Sequence, residues 1–291
     1  MAEGAGIYSA WQPGVDLTLL SLAARGRPVL GSLRSQLSRG VGVDHVADTT
    51  GGDSEYNICL TPLQHVCKSG ITSDGKNLED RVACVKLLIE HGACVDAGAP
   101  GNPGQSTDTH TLYTPLMYAA LSQHLDLVKI LLSAGSDVSV LCTSRNGFPA
   151  SALTIAVLSY GAISHNNPKD CDAVIETLLR AGADANPPEW RGTTVMEMAI
   201  RHGRRRIWPL LLRAGAILPA NSEDPDEHTY HYDIYRAHPY LQKIDMAGGW
   251  KAYEKAHRTE LLATFTPKFT HLVPEELVPL IVEFSFHVGF Y

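Results

Sequence analysis

Residues 114–138 read TPLMYAALSQHLDLVKILLSAGSDV. Thr114 has a hydroxyl that can cap a helix, and Pro115 follows at the first helical position, where a missing N–H goes unnoticed. Leu116, Ala119 and Ala120 then share one face at helical spacing. His124 and Leu125 read as a turn, and Asp126 as the cap of a second helix with Leu127, Val128, Ile130, Leu131 and Leu132 as its apolar face. Gly135 ends that helix, as a residue free to adopt positive φ should. The stretch therefore predicts a short capped helix, a tight turn and a second helix closed by glycine.

The same frame recurs along the chain. Thr61-Pro62-Leu63 opens a copy that closes in VKLLIEHGACVD (85–96), and Ser151-Ala152-Leu153 opens one that closes in VIETLLRAGADAN (174–186). Thr194 opens another, closing in WPLLLRAGA (208–216), and a degenerate first copy runs from Thr18 to Gly40. Cap and closing glycine are 21 residues apart at 114–135 and 194–215, 22 at 18–40, and 31 at 61–92 and 151–182. The second and fourth copies thus hold about ten extra residues between their helices, placed at 69–80 and 161–170. Both stretches are rich in Gly, Ser, Asn and Asp and read as surface loops. The connections between copies are also long at 46–59 and 98–111.

This frame resembles the ankyrin repeat, whose units open T-P-L-H-x-A-A and close L-L-x-x-G-A-D-x-N. The resemblance covers 16–218 and implies an all-α solenoid of helix–turn–helix units in a period of about 33 residues. It has long finger loops and a C-terminal helical cap. The expected organisation is a tail at 1–15, an array at 16–219, a linker at 220–229 and a helical segment at 230–291. The array divides at about 16–56, 57–110, 111–147, 148–190 and 191–219. One such helix pair cannot bury its apolar face alone, so neighbouring copies supply the core.

The resemblance also implies function. Ankyrin arrays grip protein partners on a concave surface built from finger tips and first-helix ends. Seven residues after each cap lie Arg25, Lys68, Leu121, Leu158 and Arg201. Ser159 and His202 stand next to the turns of the last two copies, and Tyr113 and Trp190 precede caps on the finger side. The row reads basic, basic, apolar, apolar, basic. Each of these side chains equally suits an ordinary solvated surface. A protein scaffold with an unidentified protein partner is the expectation, working as a monomer without cofactor.

Composition agrees. Hydrophobic residues make up 44% and charged residues 19%, which suits a packed core. A net charge of -7 gives no basic footprint for nucleic acid. The six cysteines (59, 67, 84, 94, 142 and 171) form no C-x-x-C pair and read as small buried hydrophobes in a reducing compartment. No signal peptide is expected at residues 1–15, and the apolar stretch near 277–290 is too short to span a bilayer. An intracellular protein, cytoplasmic or nuclear, follows as an expectation.

Enzyme signatures are missing from the sequence: there is no phosphate-binding G-x-x-x-x-G-K-[ST], no G-x-S-x-G and no H-E-x-x-H. The glycines at 98, 101 and 104 neither follow a strand nor open a helix. Histidines such as His91 and His124 sit beside turns, where they satisfy backbone groups. Arg201, Arg204, Arg205 and Arg206 form a basic cluster that reads as a polar turn, or alternatively as an acidic or phosphate contact or a nuclear import patch.

Beyond the array, helices are expected at 238–249, at 250–265 with Trp250, Tyr253, Ala256, Leu261 and Phe265 as apolar points, and at 274–286 with Leu277, Leu280, Ile281 and Phe284. Pro279 should bend the last helix or shift its start. These helices read as a cap over the last repeat. Alternatively, L-x-P-x-x-L followed by I-V-x-F weakly resembles part of a SOCS box or F-box, which implies a substrate adaptor of a ubiquitin ligase. The cysteine expected in a SOCS-type helix is missing from 250–265.

Overall fold

The fold is given by a computed structural model, which describes residues 30–40, 42–44, 60–68, 78–99, 113–143, 148–160, 168–189, 192–219 and 238–285. The array holds nine α-helices among these residues: α1 Leu30–Ser38, α2 Pro62–Lys68, α3 Leu78–Glu90, α4 Pro115–Leu121, α5 Leu125–Ser133, α6 Ala152–Leu158, α7 Pro168–Arg180, α8 Val195–Arg201 and α9 Trp208–Arg213. A 3-10 turn at Arg205–Ile207 leads into α9. Cys142–Thr143 (β1) pairs antiparallel with Pro149–Ala150 (β2) in the connection between the third and fourth copies. The molecule is otherwise helical in its described parts.

The pairs α2/α3, α4/α5, α6/α7 and α8/α9 are the predicted second to fifth copies, and α1 is the second helix of the first. Residues 18–29, which would hold that copy's first helix, lie outside the described residues. First helices pack side by side in the order α2, α4, α6, α8, and second helices in the order α1, α3, α5, α7, α9, giving two layers with the core between them.

Each first helix starts as its sequence dictates. The hydroxyls of Thr114 and Ser151 accept from the backbone N–H three residues on, at 3.3 and 3.1 Å. Thr194 and Glu197 form a reciprocal capping box. Thr61 and Gln64 make the same exchange, with Gln64 Oε1 accepting from the Thr61 N–H at 2.8 Å. Second helices close identically. The residue after the glycine donates its N–H five positions back, Ala93 to Leu88, Ser136 to Leu131, Ala183 to Leu178 and Ala216 to Leu211, at 2.9–3.0 Å. Gly92, Gly135, Gly182 and Gly215 take φ between 85° and 95°, where a Cβ would be strained. All four accepting leucines are fully buried. Burying a leucine is worth about 1.5–3 kcal/mol, so each closure pins a major piece of the core.

Three local expectations need correction. The turn of the third copy falls on Ser122 and Gln123, and α5 begins at Leu125, so Asp126 is not its cap. It lies in the first turn, where a carboxylate still suits the helix dipole. Residues 78–80 and 168–170 belong to α3 and α7 rather than to loops. Each of these helices has 13 residues against nine in α5, so the extra residues partly lengthen the outer helix. The remainder of both insertions, 69–77 and 161–167, lies outside the described residues, as do most of 46–59 and 98–111.

The C-terminal segment adds α10 Pro239–Met246, α11 Trp250–Phe269 and α12 Val278–Ser285, the last preceded by a 3-10 turn at Glu275–Leu277. Leu241 and Ile244 of α10 and Trp250 of α11 join the same core as the array. Trp208 of α9 meets the His238 ring edge-on at 4.8 Å. Helix α11 runs four residues past its expected end, through Pro267. Pro279 does shift the start of the last helix, falling at its second position. The face differs from expectation: Val278 and Val282 are buried, while Leu277 and Leu280 are 44% and 60% exposed. Leu277 falls in the 3-10 turn, and the residues of α12 that pack inward are Val278 and Val282, four apart on one helix face.

Candidate functional surface

The residues seven past each cap fall on the last turn of each first helix. Lys68 ends α2, Leu121 ends α4, Leu158 ends α6 and Arg201 ends α8, with His202 as its C-cap. Adjacent packing of these helices makes the four positions one ordered row. Three residues nearer the cap, Tyr118, Ile155 and Met198 are buried. Small residues at Ala119, Ala120, Ala156 and Ala199, all fully buried, let the helices approach closely. The row is what remains uncovered: Lys68, Arg201 and His202 are exposed, Leu121 is 38% exposed and Leu158 half-buried.

Other expected surface residues part company with the row. Ser159 is buried: its hydroxyl donates to Ile155 O at 2.8 Å and accepts from Gln123 Nε2 at 2.8 Å. It fastens the third copy to the fourth and does not face a partner. Tyr113 is half-buried, its ring edge-on to Tyr118 at 5.6 Å. Lys68 Nζ stands 5.9 Å from the centroid of that same Tyr118 ring. Tyr113 and Lys68 are thus brought together through Tyr118, a contact with no counterpart in the sequence pattern. Arg25 and Trp190 lie outside the described residues.

The basic cluster is more organised than a polar turn. Arg204 places its guanidinium 4.8 Å over the Tyr160 ring. The Tyr160 hydroxyl donates to Asp172 at 2.5 Å, and Arg206 Nε donates to the other oxygen of that carboxylate at 2.6 Å. Burial first, and then the Asp172 carboxylate, push the Tyr160 phenol well above its usual range. Arg205 is exposed beside them. Burial, with Arg204 and Arg201 nearby, lowers the His202 imidazole, so it brings a hydrogen-bonding group and not a second charge.

No three His, Cys, Asp or Glu side chains among the described residues come together as metal ligands. Burial pushes the thiol of Cys67 up to about 12 and those of Cys84 and Cys142 to about 11, so these act as small apolar groups at neutral pH. His91 Nδ1 lies 2.8 Å from Leu87 O and serves the helix end, as its place by the turn suggests. No described helix is long and apolar enough to cross a membrane.

A family model for ankyrin repeats, in three copies, matches residues 20–142. These residues are ankyrin repeats. A curated relative, YahD of Escherichia coli (strain K12), described as an ankyrin repeat protein, is 25% identical over 167 residues, an overlap taking in 48% of this chain and 77% of the relative. The match to the ankyrin model stops at 142, yet α6/α7 and α8/α9 repeat the capped start and glycine-closed end of the matched copies. The fourth copy is stretched between its helices, and the fifth enters its second helix through a 3-10 turn.

Proposed function

We propose that this protein is a non-enzymatic scaffold that binds a protein partner along its inner helix row and finger loops. Ankyrin repeats are in general protein-interaction modules, and the observation carrying the reading here is the ordered row Lys68, Leu121, Leu158 and Arg201. Four stacked copies leave the same position uncovered, with aromatic and arginine side chains beside it, the types that most often carry interface energy. The test is affinity capture with mass spectrometry, comparing the full chain with a Lys68→Glu, Leu121→Ser, Arg201→Glu variant of equal helical signal. Loss of a captured partner supports the row. Retention of all partners by the variant rejects it.

A second reading, adaptor to a ubiquitin ligase through the C-terminal helices, draws on one observation. Leu272, Leu277 and Leu280 are 69%, 44% and 60% exposed on the α11–α12 hairpin, away from the part that packs on α9. If that hairpin docks a ligase subunit, Leu277→Ser with Leu280→Ser removes ligase subunits from the captured set and leaves row-dependent partners in place. An unchanged set rejects this reading.

A further inference from the structure

We propose that the seam between the fifth copy and the C-terminal segment is an acid-sensitive joint, at which protonation of His238 releases α10 and the helices after it from α9 while the second to fourth copies stay folded. The joint is built from aromatic rings. Trp208 of α9 meets His238 edge-on at 4.8 Å, His238 meets Tyr240 edge-on at 6.5 Å, and Tyr240 meets Tyr253 of α11 edge-on at 5.9 Å. Trp250 lies 5.9 Å from the same Tyr253 ring. The polar atoms of this set lack what burial demands. Trp208 Nε1, His238 Nδ1, Tyr240 Oη and Trp250 Nε1 are buried and have no hydrogen-bond partner among the described residues. Each has left water without replacing its bond, so opening the joint restores a hydrogen bond to every one of them. Seams between copies are made differently: Gln64, Gln123 and Asn186 each reach across to the next copy with hydrogen bonds. The pair Arg213–Glu254 does cross the joint, at 3.4 Å, but it is solvated and adds little. A segment held this way opens locally, ahead of the whole.

His238 is the member of the set whose charge changes near neutral pH. It stands at the N-cap of α10 without a cap hydrogen bond, at the positive end of that helix's dipole. Arg205, on the 3-10 turn leading into α9, acts on the ring from the array side. Burial first, and then Arg205, lower the imidazole. The other titratable groups around the joint do not offset this. Tyr240 is the neighbour on α10, and Lys243 and Asp245 are exposed on its later turns. Tyr253 and His257 of α11 stack on each other at 5.6 Å, and Glu254 is engaged by Arg213. A proton on His238 therefore sets a cation beside a cation, at a dipole of the same sign, on a ring whose Nδ1 has no acceptor. The undocked ring takes its proton near 6.5 and the docked ring only below that. Docking is thus intact above about 6.5 and weakens as pH falls.

The test follows hydrogen exchange in the full chain at pH 7 and 5, corrected for intrinsic rates, in a His65→Gln, His124→Gln background that removes the buried histidines of the array. Protection in α10 and the first turns of α11 should fall at least about ten-fold, toward the limit of about 25-fold that one proton with a free value near 6.5 can supply, while α2 to α5 hold. Adding His238→Gln should make protection in α10 equal at the two pH values. The inference is overturned if the background shows no fall, if the fall survives His238→Gln, or if it extends equally to α2 to α5. Should His238→Gln leave the joint open at both pH values, NMR titration of the His238 ring in the background protein decides: a midpoint below 6.5 upholds the joint, and one at or above 6.5 overturns it.

Discussion

Gln123 sits at φ 56°, a left-handed conformation that costs a residue with a side chain about 1–2 kcal/mol. In the fifth copy the same turn is made by Gly203 at φ 62°. Gln123 repays the strain by donating from Nε2 to Ala156 O at 2.7 Å and to Ser159. Gln123→Gly removes the strain and both buried bonds, each worth about 1 kcal/mol, and leaves Ala156 O without this donor. A net loss of about 1 kcal/mol is expected in chemical denaturation. Two glycines make a sharper contrast. At Gly98 a Cβ would stand 2.4 Å from Gln64 Nε2, which donates to Ala97 O and Tyr113 O, whereas at Gly135 it would meet nothing within 4 Å. Gly98→Ala should therefore cost about 2–3 kcal/mol and Gly135→Ala about 1. Burial holds His65 and His124 down to about 4, assisted by Lys68 and Arg81 respectively, and lowers His202 and His238 in the same direction. Below the unfolded value near 6.5 only the unfolded chain gains these protons. Stability is thus intact above 6.5 and falls as pH drops toward 4, by about 2 kcal/mol at pH 5 for each of His65 and His124. Denaturation midpoints at pH 7 and 5 check this, and His65→Gln with His124→Gln should flatten the difference.

Elements were legible to the degree that their signals were local. Thr61, Thr114, Ser151 and Thr194 each announced a helix start because capping needs only a hydroxyl three residues from an N–H. The closing glycines were equally plain. Where α3 and α7 begin was not, because Leu78–Asp80 and Pro168–Asp170 end stretches rich in Gly, Ser, Asn and Asp that read as loop, although Pro168 at the first position of α7 and acids in both first turns suit a helix start. The row positions followed from counting, but the burial of Ser159 and the Tyr113–Tyr118–Lys68 contact depend on side chains from adjacent copies, and no single-repeat pattern holds them. The last helix shows the same limit. The spacing of Leu277, Leu280 and Ile281 marks one apolar face, but Val278 and Val282, also four residues apart, are the side chains that pack inward. Val282→Ala should accordingly destabilise the α11–α12 hairpin by about 1–2 kcal/mol, and Leu280→Ser by no more than about 0.5, read as local protection in hydrogen exchange.

Across the molecule, each copy touches mainly its neighbours, so stability should behave as a sum of copies and seams. Trp208, Leu241, Ile244 and Trp250 belong to the same continuous core as the second copy. Trp208→Ala should cost about 3–5 kcal/mol locally. Exchange protection should fall in α8, α9 and α10 and persist in α2 to α5, and uniform loss throughout would contradict nearest-neighbour coupling. The seams also have a direction. Asp44 accepts from the Cys94 N–H, Asp96 from Asp137 and Asn186 from Ile217, Gln64 reaches Tyr113, Gln123 reaches Ala156, and Asp172 holds Arg206. In every one of these ties the carboxylate or carboxamide belongs to the earlier copy and its partner to the later. A ribosome adds about 5–20 residues per second, so successive copies emerge seconds apart, while helices form in microseconds. Each newborn copy therefore meets a finished predecessor whose side chains are already waiting, and the array can be assembled in the order in which it is translated.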